Sequence, residues 1–278
     1  MDEQPEILLT NDDGIDAPGL AALDAGLSTV ADVTVVAPAT DQSKVGRQTS
    51  TDVVIEKRNG GIALTGTPAD CVIAGLQEFC PDPDLVVAGC NRGANLGGYV
   101  LGRSGTVSAA VEAAFHGVPS IASSLYVPVD DVAFEDAEVE ERDFREAVRA
   151  TCFLVEHALD AGVFDHADYL NVNAPVPNGH LAATESVDVQ QPATAPAPMR
   201  ITSPSHRYEM DAIRDGDQLR LHDRIWELMA EGDLEESPGT DRHAVLDGAV
   251  SVSPLTAPHT TEHHEALDGL AAAYPPEQ

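Results

Sequence analysis

Ile7-Leu8-Leu9-Thr10-Asn11-Asp12-Asp13-Gly14-Ile15-Asp16-Ala17-Pro18-Gly19 is a short apolar run that breaks into polar residues and a glycine and then meets a proline. Four apolar-to-small residues bounded by a turn signal predict a buried strand over 7–10, and a proline followed by helical apolar spacing predicts a helix from Pro18 to about Leu27. The alternation recurs. Strands are expected at Val33–Ala37, Leu85–Ala88, Ile121–Leu125 and Tyr169–Val172, with helices from Thr67-Pro68 to about Glu78, over Ser104–Phe115 and over Glu138–Leu159. In the last of these, Phe144, Val148, Cys152 and Val155 share one face. Strand and helix in regular succession is the rhythm of an α/β fold with a mostly parallel sheet. Between the second and third core strands, Val53–Glu56 and Ile62–Leu64 read as a short hairpin turned by Asn59-Gly60-Gly61.

After Pro175 the rhythm stops. Pro, Ala and Thr crowd residues 191–198, and the rest of the chain reads as a hairpin arm, a helix near Trp226–Ala230, a last strand at Val250–Val252 and a polar tail after Pro258. Residues 1–175 are therefore expected to form a catalytic core, and residues 176–278 an extension that completes it.

The 278 residues carry 47 Asp plus Glu against 15 Lys plus Arg, a formal charge of −32, while hydrophobic content is 43%. That apolar fraction suffices for a core, so the acids do not imply disorder. They disfavour a nucleic-acid or anionic-membrane partner reached through a broad basic surface. Lysine occurs only at Lys44 and Lys57. An acid-rich, lysine-poor chain suits concentrated salt, where the Debye length shrinks to about 3 Å at 1 M and surface repulsion is screened; a halophilic protein is the expectation. Cys71, Cys80, Cys90 and Cys152 are too scattered for a zinc site or a disulfide framework, so reduced thiols are expected. The acidic start Met1-Asp2-Glu3-Gln4-Pro5-Glu6 has neither the basic residues nor the apolar stretch of a signal peptide, and no apolar run approaches a membrane span, which points to the cytoplasm.

In an open parallel sheet, ligands bind beyond the carboxyl ends of the strands. Four segments lie there. Asn11-Asp12-Asp13-Gly14 offers adjacent carboxylates, which repel each other unless a cation attends them; a hard divalent metal suits them, and so does a helix-capping turn. Thr40-Asp41-Gln42-Ser43-Lys44 follows the second strand with hydroxyls and a lysine. Gly89-Cys90-Asn91-Arg92-Gly93-Ala94-Asn95-Leu96-Gly97-Gly98 follows the third, with four glycines and two Asn side chains that can ligate or donate. Ser104-Gly105-Thr106 opens a helix, whose free N–H groups make a phosphate site. Dinucleotide-binding and P-loop glycine strings are absent.

Thr10–Gly19, Thr65–Val72 (Thr-Gly-Thr-Pro-Ala-Asp-Cys-Val), Gly89–Asn95 and Ser104–Ala110 resemble, in order and spacing, the signature blocks of the SurE family, and Asp247–Leu255 is similar to the family's late strand. The resemblance implies a Rossmann-like three-layer core and a metal-dependent nucleotidase acting on nucleoside 5′- and 3′-monophosphates. It implies one divalent ion per subunit, Mg2+ or Mn2+, held by Asp12, Asp13, Ser43 and Asn91, with Asn95, Ser104, Gly105 and Thr106 around the phosphate. It also implies a homodimer or homotetramer in which the C-terminal arm takes part. In such a site Asp12 or Asp13 could accept a proton from the attacking water. The alternatives are a non-catalytic nucleotide- or metal-binding regulator, or a phosphatase that forms an aspartyl-phosphate. Arg103 stands where the family commonly has an aromatic residue or His, which implies either altered base stacking or an added phosphate contact; the phosphate contact is the expectation, since a local cation offsets the overall negative field.

If the acid excess is adaptation to salt, Tm rises by about 10 °C or more between about 0.2 M and about 3 M KCl. Equal stability across a calorimetric salt series would contradict that origin.

Overall fold

A computed structural model of the chain describes residues 4–58, 60–128, 134, 136–177, 195–257 and 265–273. Its centre is a nine-stranded sheet. In chain order the strands are β1 (Glu6–Thr10), β2 (Asp32–Pro38), β3 (Ile55–Arg58), β4 (Gly61–Leu64), β5 (Leu85–Arg92), β6 (Ser120–Tyr126), β7 (Tyr169–Pro175), β8 (Met199–Ile201) and β11 (Val250–Leu255), laid side by side as β3-β4-β2-β1-β5-β6-β7-β11-β8. All neighbours run parallel except the pairs β3–β4 and β7–β11.

Strand side chains alternate between faces, so one run of apolar residues feeds two cores. Ile7 and Leu9 join Val35 and Val87 under helices α1 (Pro18–Leu27) and α5 (Arg145–His157). Leu8 joins Val36 and Val86 under α2 (Pro68–Ala74) and α4 (Gly105–Phe115) on the opposite face. The result is the expected three-layer α/β core, in which each fully buried Leu or Ile contributes roughly 2 kcal/mol. Local signals set the helix starts. Pro18 stands at the first turn of α1; Thr67 and Asp70 form a reciprocal capping box on α2, with Thr67 Oγ1 accepting from Asp70 N–H and Asp70 Oδ2 accepting from Thr67 N–H; Ser104 caps α4 by accepting from Val107 N–H. All four cysteines are free thiols.

The chain passes from β1 to β2 and β4 on one side, then crosses to β5 on the other. The carboxyl end of β1 is thus the topological switch point, where the flanking connections leave in opposite directions and open a crevice. Asp12 and Asp13 sit directly beyond it.

Several boundaries differ from the sequence reading. Strand β5 continues through Gly89–Arg92, expected as loop, because Asn91 and Arg92 pair with Ser124 and Leu125 of β6 after a register shift that follows Ala88. The hairpin's first strand is Ile55–Arg58 rather than Val53–Glu56. It is largely exposed, so its register follows the pairing of Arg58 with Gly61 across the turn, not an apolar pattern. Asn59 lies outside the described residues. The helix from Pro68 gives way at Gly75 to a wider turn over Gly75–Phe79, and the one expected from Glu138 begins only at Arg145, behind a 3-10 turn at Glu141–Phe144.

The extension supplies β11, inserted antiparallel beside β7, and β8 at the sheet edge, so it shares the core's sheet. It also holds the hairpin β9 (Met210–Asp215) and β10 (Gln218–Asp223), whose strands pair only with each other among the described residues, and helices α6 (Arg224–Glu231) and α7 (Asp241–Leu246). The expected polar tail begins outside the described residues, yet Glu265–Ala273 forms a further helix, α8. Among the described residues no helix is long and apolar enough to cross a membrane.

Candidate active site

Three neighbouring segments close on the pair beyond β1. From the loop after β2, Gln42 N–H donates to the Asp12 carbonyl at 2.7 Å. From the end of β5, Arg92 N–H donates to Asp13 Oδ2 at 2.8 Å. From the start of α4, the Thr106 hydroxyl donates to Asp12 Oδ1 at 2.5 Å. Gly105 makes that last approach possible, since a Cβ there would lie 2.7 Å from Asp12 Cβ. The four post-strand segments marked in the sequence therefore meet at one place. A cleft of about 400 Å3 opens beside Asp13, bounded by Thr40, Asp41 and Arg92.

Asp12 is 3% exposed, and burial raises its carboxyl above the ordinary range against the lowering effect of the Thr106 hydrogen bond. Burial raises Asp13 as well, and the neighbouring Asp12 charge raises it further. Neither is in an ion pair among the described residues. Next to them the Asn11 Oδ1 oxygen is buried without a hydrogen-bond partner, its amide having turned to donate to the Gly14 carbonyl at 2.8 Å. Two desolvated acids and an orphaned acceptor, all oxygen, make a donor set that suits a hard divalent cation. No group of three or more His, Cys, Asp or Glu that could hold a metal occurs among the described residues, so further ligands would have to be neutral oxygens.

The other expected residues surround this pair. Ser43 lies on the loop clamped to Asp12, its hydroxyl and N–H both donating to Asp41 Oδ1 at 2.6 and 2.7 Å. Asn91 immediately precedes the Arg92 amide that binds Asp13, and its own amide donates to the Gly93 carbonyl at 2.6 Å. Asn95 is buried and held from β6 and β7: its N–H donates to Asn173 Oδ1 at 2.7 Å and its Nδ2 to Ser124 Oγ at 2.9 Å. Ser104 is the cap of α4, and the Thr106 hydroxyl is committed to Asp12, so it orients that carboxylate in addition to any contact with a phosphate. Arg103, of which a phosphate contact is expected, is stacked on Tyr99, with its guanidinium carbon 4.2 Å from the ring centre. Arg92 lines the cleft but donates to the carbonyls of Phe134 and Ala137 and lies over the Phe134 ring.

Sequence reasoning missed Asp41 and the Asn171–Asn173 pair. The latter left a signal, because Asn171 and Asn173 alternate on one face of an otherwise apolar strand, where buried amides need partners.

A family model, Survival protein SurE, matches residues 7–207, a span that contains every one of these positions. This chain belongs to the SurE family. Its SurE relatives include the 5′-nucleotidase SurE of Haloarcula marismortui, 60% identical over 278 residues that cover all of this chain and 97% of that one. The 5′-nucleotidase SurE of Natronomonas pharaonis is 61% identical over 97% of this chain and 99% of its own. That of Pseudomonas putida is 38% identical over 95% and 97%. Among solved structures, the SurE protein of Aquifex aeolicus superposes with a TM-score of 0.72 at 28% identity, covering 97% of this chain and 99% of the other.

The raised carboxyls give a signed prediction. A carboxyl whose folded pKa lies above its unfolded value adds stability below the unfolded pKa of about 4 and loses that contribution as pH climbs through the folded one, which for Asp13 is about 7. Asp13→Asn, which keeps an acceptor for Arg92 N–H, should therefore raise the Tm of the chelator-treated protein by about 2 °C or more near pH 8. The gain should shrink as pH falls toward about 5. A variant less stable than the parent near pH 8 would contradict the uncompensated pair.

Proposed function

We propose that the chain is a metal-dependent nucleotidase, hydrolysing nucleoside 5′- and 3′-monophosphates to nucleoside and orthophosphate. The observation that carries the reading is the meeting of three clamping segments on the buried Asp12–Asp13 pair, in a chain similar over its whole length to proteins named 5′-nucleotidase. Asp12, Asp13, Ser43 and Asn91 would hold one divalent ion, Mg2+ or Mn2+. When bound, such an ion polarises a phosphoryl oxygen and makes water a stronger nucleophile.

The chain's own residues do the rest. Asn95 and the Ser104-Gly105-Thr106 turn receive the phosphate at the N-terminal end of α4, where the helix dipole favours negative charge as it grows on the equatorial oxygens. Asp12 is fixed by Thr106, and Asp13 by Arg92 N–H. One of them takes the proton as the water oxygen bonds to phosphorus, while the ester P–O bond breaks and the departing alkoxide takes a proton from solvent water. The overall −32 charge is no obstacle in concentrated salt, which screens distant acids. On the same reading the assembly is a homodimer or homotetramer through the hairpin β9–β10, whose Ile213, Leu219 and Leu221 are exposed.

AMP hydrolysis in molar KCl with Mn2+ or Mg2+ tests the proposal. Chelation should abolish turnover and metal should restore it. Asp12→Asn should lower kcat by about 100-fold or more, the loss expected when a catalytic group is removed. Full metal-dependent activity in Asp12→Asn would overturn the site, and absence of any phosphomonoesterase activity in the parent would overturn the function.

A further inference from the structure

The run Asn95-Leu96-Gly97-Gly98 belongs to no sheet and to only the first residue of α3 (Gly98–Leu101), yet its backbone is almost fully engaged. On one side β7 holds it: Asn171 and Asn173 donate to the Asn95 carbonyl at 2.8 and 3.2 Å, and Asn173 accepts the Asn95 N–H. On the other side are two residues of α7, about 145 positions downstream. Asp241 Oδ2 accepts from Gly97 N–H at 2.6 Å, while its Oδ1 accepts from the N–H groups of Ser205 and Arg242 at 2.9 and 2.8 Å. Arg242 Nη2 donates to the Leu96 carbonyl at 3.2 Å, and Nη1 donates to the Arg207 carbonyl at 3.0 Å and pairs with Glu236 at 3.3 Å. Gly97 has φ +85°, and a Cβ on it would lie 2.3 Å from Arg242 Nη2, so the guanidinium occupies the space a side chain would need.

Three charged side chains, Asp241, Arg242 and Glu236, are thus buried together: Asp241 0% and Arg242 1% exposed. Such a cluster is a poor stabiliser, because its desolvation offsets most of its attraction and a well-packed apolar set often does as well. What it does supply is direction: fixed donors and acceptors locate the Leu96 carbonyl and the Gly97 N–H to within hydrogen-bonding tolerance. The Arg242 Nε–H is left buried without a partner, a cost consistent with geometry taking priority over full satisfaction.

We propose that Asp241 and Arg242 are positioning residues for the nucleotidase reaction, holding the Asn95–Gly98 segment so that Asn95 meets the phosphate in register with Asp12 and the start of α4. The proposal rests on the nucleotidase reading of the site. It places determinants of turnover in the extension, beyond residue 207 where the family match ends, in residues that touch neither substrate nor metal. A small displacement of a group that meets charge in the transition state costs kcat more than ground-state binding.

The test uses the full chain in molar KCl. Asp241→Asn removes one acceptor from the Gly97, Ser205 and Arg242 set without changing size; Arg242→Lys keeps the charge but cannot span Leu96, Arg207 and Glu236. Leu154→Ala, on the core-facing side of α5, serves as a stability control. Both loop variants should lose about 10–100-fold in kcat for AMP with KM changed by less than about threefold, the size of effect typical of outer-shell partners. The control should keep kcat within about twofold at an equal or larger fall in Tm. Hydrogen exchange at Leu96–Gly98 should accelerate in Asp241→Asn and not in the control. Unchanged kcat and unchanged exchange in Asp241→Asn would overturn the proposal, as would a control that loses as much kcat. If Asp241→Asn does not fold, Arg242→Lys carries the same comparison. If the parent hydrolyses no nucleotide, the nucleotidase reading fails, while exchange still decides whether Asp241 holds the segment.

Discussion

Two adjacent carboxylates buried at the end of a central strand are the constraint around which this protein is built. Asp12 and Asp13 cannot both be charged there at low cost, since each is desolvated, the Asp12 charge raises Asp13 further and the Asp41 charge raises Asp12. What the fold does provide is hydrogen bonds, one from Thr106 to Asp12 and one from Arg92 N–H to Asp13, and these orient the pair without neutralising it. A site so arranged is poised for a cation. The remaining architecture keeps it in place: β1 lies centrally between β2 and β5, and the chain reverses direction across the sheet at that point, so that loops from both sides converge.

The sign of the charge matters differently at different ranges. Over the whole surface, −32 would repel a phosphate ester, but beyond about 3 Å that field is screened at molar salt. At short range the N-terminus of α4, the Asn95 side chain and the proposed ion act in a buried setting that salt screens little. The long-range acid excess and the two buried acids thus act over different ranges.

Much of this was legible in residue order. The strand and helix at 7–10 and 18–27 were readable because apolar period, proline and turn residues all agreed, and Pro18–Leu27 matches the expected helix at both ends. The eight site positions fall on the segments that the parallel-sheet rule singles out from the sequence, although Asn91 proves to lie in the last paired residues of β5 itself. What could not be read was whatever tertiary pairing decides. Gly89–Arg92 looks like a loop because it opens the glycine-rich run Gly89–Gly98, yet pairing with β6 extends it as strand. Thr106 looked like a phosphate ligand, and only proximity across 94 residues shows its hydroxyl on Asp12. Arg103 read as a phosphate contact, and nothing in the residue order shows the Tyr99 ring beneath its guanidinium. Asp241 and Arg242 carry no local signal at all, because their role depends on meeting Leu96 and Gly97 from the far end of the chain.

The central claim is that the Asp12–Asp13 pair is a cation site made complete by neutral oxygens from two further loops. Anomalous diffraction from a crystal of the full chain grown with Mn2+ tests it most directly. The account predicts one strong anomalous peak per subunit, coordinated by Asp12 and Asp13 with Ser43 and Asn91 beside it, and its loss in Asp13→Asn. Peaks confined to other acidic surface groups, with none at the end of β1, would contradict it.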